Sequence, residues 1–541
     1  MDPISHEFDV IILGTGLVQS MLAGAIGRAG RSVLHIDSNP FYGEGHASLN
    51  LKEFIEHLSA QTSKEGTPYC NLEAYVHIEP QPQAEEFESR LLVGALDSQQ
   101  SINGSAPISF QSLFDPGHEA LRVALDNVKS AGPLVEDRTD SENCIAALLD
   151  VLSNHRRFNI ELSPKAILSS GPVVELLISS GVGRYLEFKA LEEVYIFDGV
   201  LEQMPGAKED IFSNDKVSLL DKRRLMKFLT MALNYESGLD GLTEIEDTLL
   251  ADYLESQKFN EKLKSILYVL AGVHNTDQID TVSTGAALRQ IQLYLRSVGR
   301  FGKTPFLSCL YGAGSELCQA FCRLSAVYGG IYMLQQQVER VEFAKTTERV
   351  SVAINGSTYN SSSLIASPEY LQASDTRQPE LYSRAVVIVK HSIRPPQSLL
   401  SIAFPRNSIG NANSISVIQQ SFDTGAAPQP YYVVYLITKA TGTATQDLEN
   451  CVTTLLQASP ALADSEGHLP PSATPLLSLY FQEYVYPGFE SWVDDRVVVV
   501  GNHFDHFSLE SAPENAASIF QKLYPDESFL PPLPNPEDES D

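Results

Sequence analysis

Five of the six positions in Phe8-Asp9-Val10-Ile11-Ile12-Leu13 are apolar, a run that predicts a strand buried on both faces. Gly14-Thr15-Gly16-Leu17-Val18-Gln19 follows at once, and the apolar, Ala- and Gly-rich stretch 20–29 predicts a helix that breaks at Gly30. A second apolar run, Ser32-Val33-Leu34-His35-Ile36, ends in Asp37. Strand, glycine turn, helix, strand and acid, in that order, are the parts of a βαβ dinucleotide-binding unit.

Further along, the period changes. Leu225, Phe228, Leu229 and Ala232 repeat at i, i+3, i+4 and i+7, the spacing of one helix face. Helical patterns also cover 263–271 and 286–298, the latter with Leu288, Ile291, Leu295 and Val298 on one side, so 206–303 is predicted to be a small all-helical domain. Strand-like runs dominate 330–505, among them 385–389, 431–437 and 496–500. Between 79 and 142 Gln, Ser, Glu, Pro and Gly prevail without a long period, which predicts a mostly irregular surface insertion. Residues 526–541 form a Pro-rich acidic tail that cannot pack.

Composition narrows the functions open to such a chain. With 541 residues and 43% apolar side chains it can build a large core. The formal charge is −30, with no basic run to offset it, so nucleic acid is excluded as a partner and unassisted adhesion to anionic membranes is disfavoured. No apolar stretch reaches a membrane-spanning length, the first residues are acidic, and a cytosolic protein is expected. Six scattered cysteines fit a reducing compartment as buried or half-buried thiols, and the Cys318, Cys322 pair lacks the further ligands that a metal site needs.

The glycine turn carries the first candidate chemistry. Gly14 and Gly16 stand where a dinucleotide pyrophosphate needs them, and Asp37 stands where the ribose-binding acid would. The third glycine position is held by Gln19, and a late strand ends in Gly501-Asn502-His503 instead of the Gly-Asp pair of many flavoproteins. Two departures at separate contacts favour a retained fold with its FAD or NAD chemistry lost over a bound cofactor. An FAD-dependent, amine-oxidase-like oxidoreductase stays as the enzyme-class alternative.

Asp9-Val10-Ile11-Ile12-Leu13-Gly14-Thr15-Gly16-Leu17 and Val33-Leu34-His35-Ile36-Asp37-Ser38-Asn39-Pro40-Phe41-Tyr42-Gly43 closely resemble the start of the Rab GDP-dissociation inhibitor and Rab escort protein superfamily. The resemblance extends through Arg184-Tyr185-Leu186-Glu187-Phe188-Lys189, through Gly302-Lys303-Thr304-Pro305-Phe306-Leu307 and from Tyr311 to Gly330. It implies an α/β fold: an FAD/NAD(P)-binding-like, flavoprotein-like domain with mixed sheets and no cofactor, made of 1–78, 143–205 and 304–525, beside the smaller helical domain. It also implies GDP-bound Rab GTPases as partners, shelter for their geranylgeranyl tails, and no catalytic residues. Tyr42, Glu316, Arg323 and Met333 match the family's Rab-binding platform. Ser315 is one residue more than the usual Tyr-Gly-x-Gly-Glu-Leu pattern, which leaves the path before Glu316 open. The residues alone also allow an ion pair between Glu316 and Arg323, ordinary packing for Tyr42, and a core position for Met333.

The superfamily's two branches differ in docking the prenyltransferase. Escort members present new Rab proteins to the Rab geranylgeranyltransferase α/β heterodimer through a Phe and an Arg eleven residues apart, and Phe212 and Arg223 have that spacing. Phe212 fits a docking anchor or a plain hydrophobic staple before a helix. A recycling inhibitor is therefore the alternative to an escort factor. A soluble prenyl carrier needs an apolar cleft, because each exposed CH₂ costs roughly 0.8 kcal/mol. Leu225, Phe228, Leu229, Ala232, Leu288 and Ile291 are candidate lining, or simply helical core. An escort factor would touch membranes only in passing, which suits a charge of −30.

Overall fold

The computed structural model describes residues 5–62, 68–77, 90–93, 138–204, 218–236, 243–343, 349–371, 379–457, 475–485, 490–501 and 508–532, with positions 113, 114, 118 and 122. Strand β1 (Glu7–Leu13) lies inside an eight-stranded sheet, with Val10 to Leu13 free of solvent contact on both faces. It pairs in parallel with β2 (Val33–Ile36) on one side and with Ser357–Ala366 on the other. Helix α1 (Leu17–Arg28) joins β1 to β2 and is buried from Leu17 to Gly27. It begins three residues before the stretch that the pattern predicts, because extended Gly16 acts as N-cap and Leu17 and Val18 already pack into the core.

Helix α2 (Ala313–Val327) packs on α1. Close approach requires Gly24, where a Cβ would stand 3.1 Å from Leu324 Cδ2 and 3.3 Å from the Phe321 carbonyl. The chain then returns as β3 (Ile331–Met333), the edge strand, parallel to β2 in the register Ile331 to Leu34 and Met333 to Ile36. The extra residue Ser315 is absorbed as the third residue of α2, and the Glu316 amide donates to the Gly312 carbonyl over 3.0 Å.

A second, nine-stranded sheet is mainly antiparallel, with Glu380–Val389 paired to Tyr432–Lys439 and Pro475–Val485 near its centre. Leu51–Thr62 and Arg138–Ser153 cover one face, and the capping-box helix Ala444–Leu456 covers the other. Two elements fall within or at the end of the stretch 79–142, which is expected to be mostly irregular. Arg90–Val93 forms the edge strand beside Tyr69–His77, because its Leu-Leu-Val run can complete the sheet. The helix starts at Arg138, its polar first turns hiding a period that shows only from Cys144 onward. The rest of that stretch and most of the tail lie outside the described residues.

Leu219–Leu233, Leu250–Ser256, Glu261–Leu270 and Thr284–Ser297 pack around one apolar cluster that also takes Val194, Ile196 and Met204 from the edge of the second sheet. Ser218, Asn260 and Ser283 cap three of these helices by accepting a backbone N–H. None of the six cysteines is in a disulfide, and all but half-buried Cys70 are buried. Among the described residues no helix is long and apolar enough to cross a membrane, and no group of side chains could hold a metal ion.

Candidate functional site

The cleft of about 320 Å³ between α2, β3 and the turn after β2 is lined by Tyr42, Tyr185, Glu316, Gln319, Ala320, Cys322, Arg323, Ala326 and Tyr332. Four separate segments meet there. The turn from Asp37 to Gly43 brings Tyr42, the 3₁₀ turn Val182–Tyr185 brings Tyr185, and β3 brings Tyr332. Glu316, Gln319, Ala320, Arg323 and Ala326 recur at three- and four-residue steps and so share one face of α2.

Three of the four sequence-predicted platform residues, Tyr42, Glu316 and Arg323, thus converge. Met333 does not line the cleft: successive strand residues face opposite sides, so Tyr332 turns toward the cleft while Met333 packs against the core that holds Leu34 and Ile36. Glu316 and Arg323 form no ion pair with each other. Two helical turns separate them, and Glu316 Oε1 accepts from Gln319 Nε2 over 3.4 Å while the Arg323 guanidinium lies 4.5 Å from the Tyr185 ring centroid. The rings of Tyr42 and Tyr332 meet edge to face at 5.9 Å. Tyr185, Tyr332 and the further α2 residues were missed at the sequence level, although helical spacing from Glu316 would have found the latter.

Burial shapes the acids here. It raises the Glu316 carboxyl and the Tyr42 phenol above their ordinary values, and lifts the Cys322 thiol to about 11. Buried Glu161 lies beneath the first turn of α2, where it accepts from Gln420 Nε2 at 2.8 Å and the nearby Ala313 and Gly314 amides favour its ionised form. Desolvation outweighs those hydrogen bonds and pushes Glu161 up to about 7.

The residues at the glycine turn do not fit a dinucleotide. Gly14, the tight-turn glycine, has φ +97°, and a Cβ there would overlap the Glu44 carboxylate and the Ser367 hydroxyl, so the chain's own carboxylate packs against the turn. Gln19 reaches across to Ser367 Oγ at 2.7 Å. Asp37, instead of facing a ribose, accepts the Thr15 amide at 2.9 Å and the Asn39 amide at 2.8 Å. A second acid, Glu369, lies close enough for its charge and Asp37's to interact.

On the helical domain, Leu225, Phe228, Leu229, Ala232, Leu288 and Ile291 are all buried in the inter-helix core. Phe212 lies outside the described residues. Arg223 is exposed near the start of Leu219–Leu233, beside Leu219 and Leu220, which are 75% and 57% exposed. Two exposed leucines at a helix start are a signal that the helical period alone did not single out.

A family model described as GDP dissociation inhibitor matches residues 4–78 and 147–461. The chain is 28% identical to Rab proteins geranylgeranyltransferase component A 2 of Mus musculus, over 99% of both chains. It is 27% identical to a secretory pathway GDP dissociation inhibitor of Schizosaccharomyces pombe, over 80% of this chain and 81% of that one. The crystal structure of a Rab GDI from Plasmodium falciparum superposes with a TM-score of 0.65 at 18% identity, covering 98% of this chain and 100% of that one, and so shares the fold. With the family model matched on both sides of the insertion, the chain belongs to the GDP dissociation inhibitor family.

Proposed function

We propose that this chain is a Rab escort factor, a non-catalytic accessory component of Rab geranylgeranyltransferase. It binds newly made Rab GTPases in the GDP form, presents them to the α/β transferase for geranylgeranylation of C-terminal cysteines, and delivers the lipidated product from the cytosol to membranes by transient contact. The observation that carries this reading is the convergence of Tyr42, Glu316 and Arg323 on one cleft. A rigid tyrosine and an exposed arginine are the side chains that interfaces most often use as anchors. The near full-length match to a component A relative supports the escort branch. So does the exposed Leu219, Leu220 and Arg223 surface, which offers the transferase an apolar contact beside a fixed positive charge.

The buried lining candidates suit a prenyl site that opens only when its helices part. Transferring apolar contacts from helix to lipid keeps those side chains out of water in both states. The test is reconstituted prenylation of a Rab by the transferase with and without this chain. Transfer that depends on the chain supports the proposal. Transfer that is equal in its absence, together with extraction of prenylated Rab from membranes, would assign the chain to the recycling branch instead.

A further inference from the structure

The closed glycine turn bears directly on the cleft, and this inference rests on the reading that the cleft takes a GDP-bound Rab. Tyr42 stands on the loop that leaves β2, and that loop is anchored wherever it passes the old dinucleotide turn. Asp37 Oδ1 accepts from the Asn39 amide at 2.8 Å and the Gly43 amide donates to Thr15 Oγ1 at 2.9 Å. Glu44 follows with φ +48°, directly after Gly43 at +101°, a left-handed backbone that a side chain rarely adopts without compensation. Its carboxylate is buried, accepts from Ser367 Oγ at 2.7 Å and lies against Gly14, while Ser367 Oγ itself accepts from Gln19 Nε2 at 2.7 Å.

We propose that Glu44 is a positioning residue: seated against the first glycine of the turn, its carboxylate ties the Tyr42 loop to Gly14 and Ser367 and holds Tyr42 in the cleft. Gln19 fits the same picture, since a third glycine would leave Ser367 without the donor that orients it.

The experiment titrates a Rab loaded with a fluorescent GDP analogue against the full chain and its variants. Glu44→Ala is expected to weaken binding about tenfold, and Glu44→Gln, which keeps an oxygen for Ser367, to stay within about threefold of the parent. In a Tyr42→Ala background Glu44→Ala should cost less than about twofold, because its effect passes through Tyr42. Equal losses in both backgrounds, or no loss from Glu44→Ala, would overturn the proposal. Should Glu44→Ala fail to fold by circular dichroism, Ser367→Ala removes the donor instead, and its loss must likewise vanish in the Tyr42→Ala background. A parent chain that does not bind the Rab at all overturns the GTPase reading itself, an outcome distinct from the others.

Discussion

The guanidinium of Arg323 lies 4.5 Å from the ring centroid of Tyr185, a residue delivered by a separate 3₁₀ turn on the far side of the cleft. The stacking holds an exposed cation in a fixed orientation without neutralising it, so its hydrogen-bond donors stay available to a partner. Arg323→Ala is expected to weaken Rab–GDP binding by about tenfold or more. Arg323→Lys should restore little of that loss, because an ammonium neither stacks flat nor presents a fork. Tyr185→Phe keeps the ring and should bind nearly as the parent does. Isothermal titration of the four proteins checks the order, and a fully active Arg323→Lys would show that charge alone is used.

Docking to the transferase is predicted to depend on a surface that the cleft does not share. Leu219→Ser and Arg223→Ala should each lower affinity for the α/β heterodimer by about tenfold. Their Rab–GDP titrations should match the parent, since both side chains are exposed on a helix that contributes nothing to the cleft lining. Phe212→Ala should behave in the same way. Surface plasmon resonance against immobilised transferase measures all three, and an unchanged affinity for Phe212→Ala would remove the escort assignment.

The βαβ unit was legible because each of its parts is local: an apolar run, a turn that needs φ > 0 at Gly14, and a helix whose apolar surface surrounds it. The strand Arg90–Val93 was not, because four residues of edge strand carry no period and gain their pairing only from Tyr69–His77. Within the site, Tyr42, Glu316 and Arg323 were legible by resemblance, yet their meeting point was not, since it is made by α2 crossing beneath a loop hundreds of residues away in sequence. Met333 shows the limit of a motif: a one-residue step along a strand exchanges cleft for core, and only the register of β3 against β2 decides which side it takes. The closure of the dinucleotide turn was half legible. Gln19 signalled it, whereas Glu44 reads as an ordinary loop acid until its left-handed backbone places it against Gly14.

The helical core should tolerate truncation poorly even though it is a candidate lipid site. Phe228 packs against Phe259 at 5.8 Å and Ile291 is fully buried in the same cluster. Phe228→Ala is expected to cost about 3–5 kcal/mol and Ile291→Ala about 2–5 kcal/mol in urea unfolding. Exposed Arg289→Ala on the same helix as Ile291 should stay within about 0.5 kcal/mol. A saturating geranylgeranylated peptide should raise the thermal midpoint of the parent chain, because a ligand bound only by the folded state stabilises it. No rise at any peptide concentration would remove these six residues from the lipid-binding proposal.

Stability should also respond to pH through Glu510, which supports the segment leading to Tyr185. Its carboxylate accepts the Leu168 amide at 2.7 Å and the Val173 amide at 3.4 Å, at the start of the helix Pro172–Ser180. Burial outweighs these bonds and raises it from 4.5 to about 7. Between those values the folded chain binds more protons than the unfolded one, so this group's contribution is complete at low pH and is lost as pH rises toward 7. Buried His35, lowered to about 4, acts oppositely and makes stability rise with pH between about 4 and 6.5. Glu510→Gln keeps the shape and removes only the first dependence. Relative to the parent, its unfolding free energy should be constant below pH 4.5, gain with a slope of about one proton between 4.5 and 7, and be constant again above. Urea unfolding at half-unit steps from pH 4 to 8 reads this difference directly, and parallel curves throughout would show that Glu510 is ionised in the folded chain.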